Sequence, residues 1–336
     1  MRRGPILALV GIGTLAGGLA AAVAVLLPWF PSVASEERAR IDFVFWFVIW
    51  ICVVIFAIVV AVLLYSVWKF RAAPDDDSDG PPIHGHTGLE IVWTLVPTVL
   101  VTAIGIVSAI VLAQNDALGN NVLRVNVTAQ QFFWSFSYPD AKGLTSGTLR
   151  LPIDRSVLLT LNTKDVIHSF WVPEFGQKQD TVPGVVTTLH ITPNKLGTFP
   201  VICTELCGLG HSVMRTEAVV MSQAAFDTWL KGQTKAAASP NPAVSGAAIF
   251  KNNGCGACHT LKAAGASGKV GPDLDRLPAE AQAAGKPLDE FVRQSITDPN
   301  AYVQKGYPKN VMPKFALSKG QLDALVQYLI QSSKKG

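Results

Sequence analysis

The chain has 336 residues, 49% of them hydrophobic and only 15% charged, with a mean hydropathy of +0.32. That is too apolar for a set of soluble domains and points to membrane segments. A net charge of +4, spread without a basic block, and a sequence without a glycine-rich phosphate loop exclude nucleic acid and nucleotides as partners.

Three runs without a charged residue, 5–30, 43–68 and 91–113, are predicted to cross a membrane. At ~1.5 Å rise per residue each is long enough for a ~30 Å hydrocarbon core. The first follows Arg2 and Arg3 and ends near Ser32-Val33-Ala34, so residues 1–34 read either as a cleaved signal peptide or as an extra transmembrane helix. The other two runs form a helical hairpin within residues 35–118. Lys69 and Arg71 follow the second run and Arg2 and Arg3 precede the first, which puts these ends on the cytoplasmic side; the mixed charges of residues 36–40 pull weakly the other way. Everything after Asn115 then lies outside the cytoplasm. Glu90, at the cytoplasmic mouth of the third run, is by position an interfacial boundary residue. Pro97 bends the helix that follows, and Cys52 is a small packing residue within an apolar span.

Between residues 119 and 230 the pattern changes to short β-rich runs, at 122–136, 157–162, 187–191, 198–203 and 217–221, separated by turn residues. Such spacing predicts an all-β sandwich or barrel. It contains Cys203, Cys207, His211 and Met214 within one twelve-residue stretch, with His168 upstream. Two thiolates, two imidazoles and one thioether suit copper. A mononuclear site would need only one cysteine; a second lets two bridging thiolates hold two copper ions, each completed by one histidine, and such a pair can share one electron. A structural zinc site of Cys203, Cys207, His211 and His168 would leave Met214 idle, and a Cys203–Cys207 disulfide is open to a pair outside the cytoplasm. Copper is the reading that employs all five donors.

Residues 231–243, rich in Ala, Ser and Pro, read as a linker to a small all-α domain at 244–336. There Cys255-Gly256-Ala257-Cys258-His259 is a haem attachment motif: two thiols for the vinyl groups and an adjacent imidazole for the iron. Met312 is the only methionine after the motif, and no histidine follows His259, so Met312 is the candidate sixth ligand. His/Met ligation raises the potential and leaves no open position, which suits electron transfer and not oxygen binding. As a mere core filler, Met312 would leave the iron one protein ligand short. Helices are expected at 244–252 and 288–297, and a third is capped by Ser318, with Leu322, Leu325, Val326 and Leu329 on one face. The loop Gly271-Pro272-Asp273-Leu274 is expected against the proximal side of the haem.

The stretches 89–97, 131–135, 165–173, 178–184 and 203–214 together resemble subunit II of the haem-copper oxidases across about residues 42–230. Residues 245–331 resemble a class I cytochrome c, a fusion found in one branch of that family. The resemblance implies a cupredoxin-like domain with a dinuclear copper A centre held by His168, Cys203, Cys207, His211 and Met214 and by the carbonyl of Glu205. The Glu205 carboxylate would help hold a magnesium ion shared with subunit I, and Glu90 would stand at the mouth of a proton path into that subunit. Phe132 takes the place of the family's tryptophan that receives electrons from an external cytochrome, while Trp134 matches the second tryptophan; an arginine common after Pro-Gly is Val185 here. The implied activity is that of a cytochrome-c oxidase subunit in a bacterial plasma membrane. It would pass electrons from a donor such as a cytochrome c through haem c and copper A to subunit I, where oxygen is reduced and protons are pumped, with subunit III alongside. Six histidines, three of them assigned to copper and haem, are too few for the oxygen site as well, which places it in another chain. Two other readings remain at this level: the copper A subunit of a nitric oxide reductase, and a membrane-anchored metal or electron carrier.

Overall fold

The computed structural model describes residues 3–72, 74–75, 79–80, 82–141, 144–237, 241–312, 315 and 317–334. Arg2, used above for orientation, and part of the expected linker, 238–240, lie outside the described residues. The chain divides into two compact units, one of residues 1–32 and 39–115 and one of residues 33–38 and 116–336.

The first unit is helical: α1 (Arg3–Leu26), α2 (Glu36–Lys69) and α3 (Thr87–Asn115). All three are long and apolar enough to cross a bilayer. Helices α2 and α3 cover the expected spans and run on into polar flanks, whereas α1 ends at Leu26, short of the expected end at residue 30. Gly13 and Gly17 of α1 face Ala57 and Ala61 of α2; a Cβ on Gly17 would stand 3.1 Å from that of Ala57. Small residues four apart on both helices allow the close approach by which helices associate in lipid. At the start of α3 the backbone N–H of Leu89 donates to His86 Nδ1, and the backbone N–H of His86 donates to Glu90 Oε1. Glu90 therefore closes the helix N-terminus, a boundary role as its position predicts.

The second unit contains a cupredoxin-like β-sandwich and a helical domain. One sheet has the order β3-β2-β1-β5-β8, with β1 (Leu123–Gln130), β2 (Phe133–Tyr138), β3 (Leu144–Ser146), β5 (Val157–Thr163) and β8 (Thr187–Ile191). The other has the order β4-β10-β9-β6-β7, with β4 (Leu149–Pro152), β6 (His168–Trp171), β7 (Lys178–Thr181), β9 (Gly197–Cys203) and β10 (Arg215–Met221). Alternation buries Val125, Val127 and Ala129 of β1, Trp134, Phe136 and Tyr138 of β2, and Leu159 and Leu161 of β5 between the sheets. The single strand expected at 122–136 is instead a hairpin: β1 and β2 pair antiparallel, Gln130 opposite Phe133, with Gln131 and Phe132 in the turn. Its connection lacks the glycine or asparagine that usually announces one, so the aromatic run reads as unbroken. Residues 33–38 add to the sandwich: Ala34 is buried, its N–H donates to the Glu174 carbonyl, and Ser35 bridges to Pro193.

Helix α4 (Gln223–Ala237) packs Phe226 and Trp229 against Tyr138. It runs through the first seven residues of the expected linker, 231–237, because Lys and Ala at 235–237 favour helix. The helical domain follows with α5 (Pro242–Asn252), α6 (Cys255–Cys258), α7 (Leu277–Ala283), α8 (Leu288–Thr297) and α9 (Lys319–Ser333). Ser318 and Gln321 form the full capping box at α9. Phe250, Leu261, Phe291, Val292, Leu325, Val326 and Leu329 make a second core.

Tyr138 links the hairpin to the sandwich edge. Its hydroxyl accepts from the Arg150 N–H at 2.8 Å and donates to the Arg150 carbonyl at 3.0 Å, and the Arg150 guanidinium lies 5.0 Å from the centre of the Trp229 ring. Burial raises the phenol pKa, so the hydroxyl stays neutral. Tyr138→Phe would leave both Arg150 backbone groups without this partner and is expected to cost about 1–3 kcal/mol. Denaturant unfolding of the variant against the parent protein measures the difference; an unchanged midpoint would show that the bond contributes nothing.

Candidate functional site

The hairpin turn, the loop before β6 and the loop after β9 meet at one end of the sandwich. His168 at the start of β6 is fully buried, and Cys203 at the end of β9 lies opposite Phe170 in the same sheet. The loop that follows returns Cys207, His211 and Met214 to the same place. His168 Nδ1 is 3.9 Å from Cys203 Sγ, the two sulfurs are 3.9 Å apart, and Cys207 Sγ is 3.6 Å from His211 Nδ1 and 3.8 Å from Met214 Sδ. The Glu205 carbonyl is 3.2 Å from Cys203 Sγ. All six expected donors therefore converge. They fall into two sets around a central thiol pair: His168 and the Glu205 carbonyl beside Cys203, and His211 and Met214 beside Cys207. Both cysteines are free thiols, so the pair is not a disulfide.

The electrostatics suit a cation between the sulfurs. Burial alone would raise the Cys203 thiol, but hydrogen bonds with His168, the Ser169 and Glu205 backbone and His211 bring it down to about 7. Burial and the neighbouring Cys203 charge push Cys207 up to about 12. Two thiolates at this separation repel, and only positive charge lodged with them makes both favourable. The donor set, with its sulfurs, imidazoles and thioether, fits copper.

Residues outside the predicted donor set hold this one in place. Asp165 Oδ1 accepts a hydrogen bond from His168 Nε2 at 2.8 Å, which leaves Nδ1 facing the sulfur. Burial tends to raise Asp165, but donors from Gln131, His168 and Val166 lower its pKa and keep it a carboxylate. Burial tends to lower His168, and its bonds to Cys203 and Asp165 outweigh that and raise it. Gln131 spans both loops, donating its N–H to Asp165 Oδ2 at 2.8 Å and its side-chain amide to the Cys207 carbonyl at 2.5 Å. Trp134, expected on the electron route, is buried with its ring 6.2 Å from that of His168. Phe132 is 4% exposed and lies under the metal loop; a Cβ on Gly210 would run into its ring, so only glycine fits there. The Glu205 side chain is exposed, as is Val185.

A cavity lies in the helical domain. Cys255, Cys258, His259 and Met312 line it, with an otherwise largely apolar wall from Phe291, Leu325 and Leu329. Phe132 and Phe133 of the β-domain line it too. His259 donates from Nδ1 to the Pro272 carbonyl at 2.7 Å, so Nε2 keeps its lone pair. The 271–274 loop thus packs against His259. Burial lowers the imidazole pKa, with the Pro272 bond opposing, and keeps the ring neutral and able to ligate. Burial pushes the Cys255 thiol up to about 12 and raises Cys258 as well. Two thiols, a neutral imidazole and a thioether around one apolar cavity fit a covalently attached haem.

The supporting residues carry weaker sequence signals. Asp165 could have been found from its place three residues before a ligand histidine, whereas Phe133, though within the 131–135 stretch, carries no signal of a contact with the haem domain.

The family model for the transmembrane domain of cytochrome c oxidase subunit II matches residues 23–111, that for its periplasmic domain residues 145–222, and that for cytochrome c residues 243–333. Cytochrome c oxidase subunit 2 of Alkalihalophilus pseudofirmus is 32% identical over 291 residues, covering 83% of this chain and 82% of that protein. Proteins of the same name from Synechocystis sp. and Thermostichus vulcanus are 32% and 31% identical over 253 and 263 residues. Those alignments cover 61% and 62% of this chain and 76% and 80% of the relatives.

Asp165→Asn keeps the side-chain shape but weakens the hold on His168. Loss of such a supporting carboxylate is expected to lower metal affinity about 10–100-fold. Competition of the metal-loaded protein with a chelator measures this, and unchanged retention would remove Asp165 from the site.

Proposed function

Because the chain belongs to the cytochrome c oxidase subunit II family, we propose that it is the electron-input subunit of a bacterial respiratory terminal oxidase. It takes electrons from an external donor such as a cytochrome c and delivers them through haem c and copper A to subunit I, where oxygen is reduced to water with proton pumping. Apolar helices anchor it in the plasma membrane, and its β-domain is extracytoplasmic. When bound, haem c and copper A supply two one-electron redox centres. Cys255 and Cys258 would anchor the haem, with His259 and Met312 as axial ligands. His168, Cys203, Cys207, His211, Met214 and the Glu205 carbonyl would hold the copper pair.

The observation that supports this reading most is the position of Phe132. Its ring lies beneath the 208–210 loop between two copper donors, Cys207 and His211, and also lines the haem cavity. At 4% exposure it is closed to an outside protein, so a donor would reach the haem domain first. The resemblance gives this position to a tryptophan that meets an external cytochrome. Here phenylalanine would serve a haem held within the same chain, which tethering keeps at high effective concentration. Trp134, behind His168, completes the aromatic contact.

Leu206 and Leu209 on the metal loop and Val185 and Val186 on the 182–186 loop are exposed apolar side chains. They suit a face that docks on subunit I, with Val185 making an apolar contact where the family commonly has an arginine. Subunit III belongs to the same assembly. The exposed Glu205 carboxylate would give one ligand to the magnesium ion shared with subunit I. Glu90 would pass protons toward subunit I in addition to closing α3; Glu90→Gln keeps the acceptor for His86 and separates the roles, since slowed turnover requires the carboxylate.

Metal analysis and EPR of the purified membrane complex test the assignment. Two coppers attributable to this subunit, with a seven-line signal, and one low-spin haem c per chain are expected, together with haem and copper in subunit I that turn over oxygen. A single zinc, or no metal in the β-domain, would contradict the copper assignment. Turnover of nitric oxide in place of oxygen would contradict the oxidase assignment.

A further inference from the structure

Phe133 lies on β2 between alternately buried neighbours, so its side chain is on the face of the sheet opposite Trp134 and Phe136. On the β-domain alone this ring would be an exposed aromatic. The haem domain covers it instead. Its centroid is 5.6 Å from that of Phe315, and Gly254 sits so close that a Cβ there would stand 3.5 Å from Phe133 Cβ. Gly254 immediately precedes the first attachment cysteine, and Phe315 lies three residues after Met312. On the other flank of Met312, Val311 packs against the core of the β-domain. One aromatic side chain therefore touches both the start of the haem attachment motif and the segment that presents the distal ligand. Its described residues, 311, 312 and 315, lie outside regular secondary structure, between α8 and α9, and the contacts of Val311 and Phe315 tie them to the β-domain.

We propose that Phe133 is a positioning residue of the haem site: with Phe315 it clamps the Met312 segment against the β-domain, and retention of Met312 as distal ligand depends on the docking of the two domains. This rests on the reading of Met312 as a haem ligand. The β-domain then forms a wall of the haem site as well as holding copper. Loss of docking would release the methionine and lower the haem potential, which links electron acceptance to the presence of the intramolecular partner.

The test follows the charge-transfer band of Met-ligated ferric haem through a pH titration of the purified full-chain complex. An aromatic pair of this kind accounts for roughly a tenfold bias, so Phe133→Ala is expected to lose the band about one pH unit below the parent protein. Phe133→Tyr, which keeps the ring, should titrate like the parent, and the copper EPR signal should be intact in both. Phe315→Ala removes the same contact from the haem-domain side, should show the same shift, and decides the matter should Phe133→Ala not assemble. Alanine variants that keep the band to the parent pH, with copper intact, would overturn the clamp. If Met312→Ala itself keeps the band, the ligand reading falls instead, a distinct result.

Discussion

The turn between β1 and β2 is the constraint on which both candidate cofactor sites depend. Three consecutive residues, each with a different target, leave it. Gln131 reaches Asp165 and the Cys207 carbonyl, tying the loop that carries His168 to the loop that carries both cysteines. Phe132 fills the space beneath Gly208 and Gly210 and reaches the haem cavity. Phe133, one residue on and on the other face of the strand, takes the weight of the haem domain through Gly254 and Phe315. Alternation along a strand sends neighbouring side chains to opposite faces, so a short turn can serve two domains without competition for space.

The two sites treat their thiols differently, in line with different chemistry. At the β-domain site polar contacts hold one thiol low while burial and the neighbouring charge hold the other high, a frustration that positive charge removes. In the haem domain burial raises both thiols, and His259 is held neutral. That environment suits covalent attachment and an apolar seat for a macrocycle better than it suits a bare cation. Support by a bonded partner recurs on both sides: Asp165 orients His168 and the Pro272 carbonyl orients His259, each fixing which ring nitrogen faces the ligand position.

Much of the donor chemistry is legible in the sequence because it is local. Cys203 through Met214 occupy one loop, and Cys255 through His259 one helical turn, so spacing alone brings them together. His168 is 35 positions from Cys203 and is joined to it only by the sheet that pairs β6 with β9. The membrane helices and the α9 cap are likewise local patterns. What stays hidden is long-range. The hairpin inside 122–136 leaves no turn residues to mark it, and the helical extension to Ala237 runs through a composition that resembles a linker. The Phe133–Phe315 contact spans the junction between two domains, each with its own core, and no periodicity within either domain predicts it.

The central claim is that electrons move from haem c to copper A within one chain, across the contact at Phe132. Flash photoreduction of the haem c in the purified complex, followed by optical recording of both centres, tests it most directly. The account predicts first-order transfer to copper A at a rate independent of complex concentration, with no external cytochrome required. A rate that scales with concentration, or haem c that stays reduced until an external carrier is added, would contradict it.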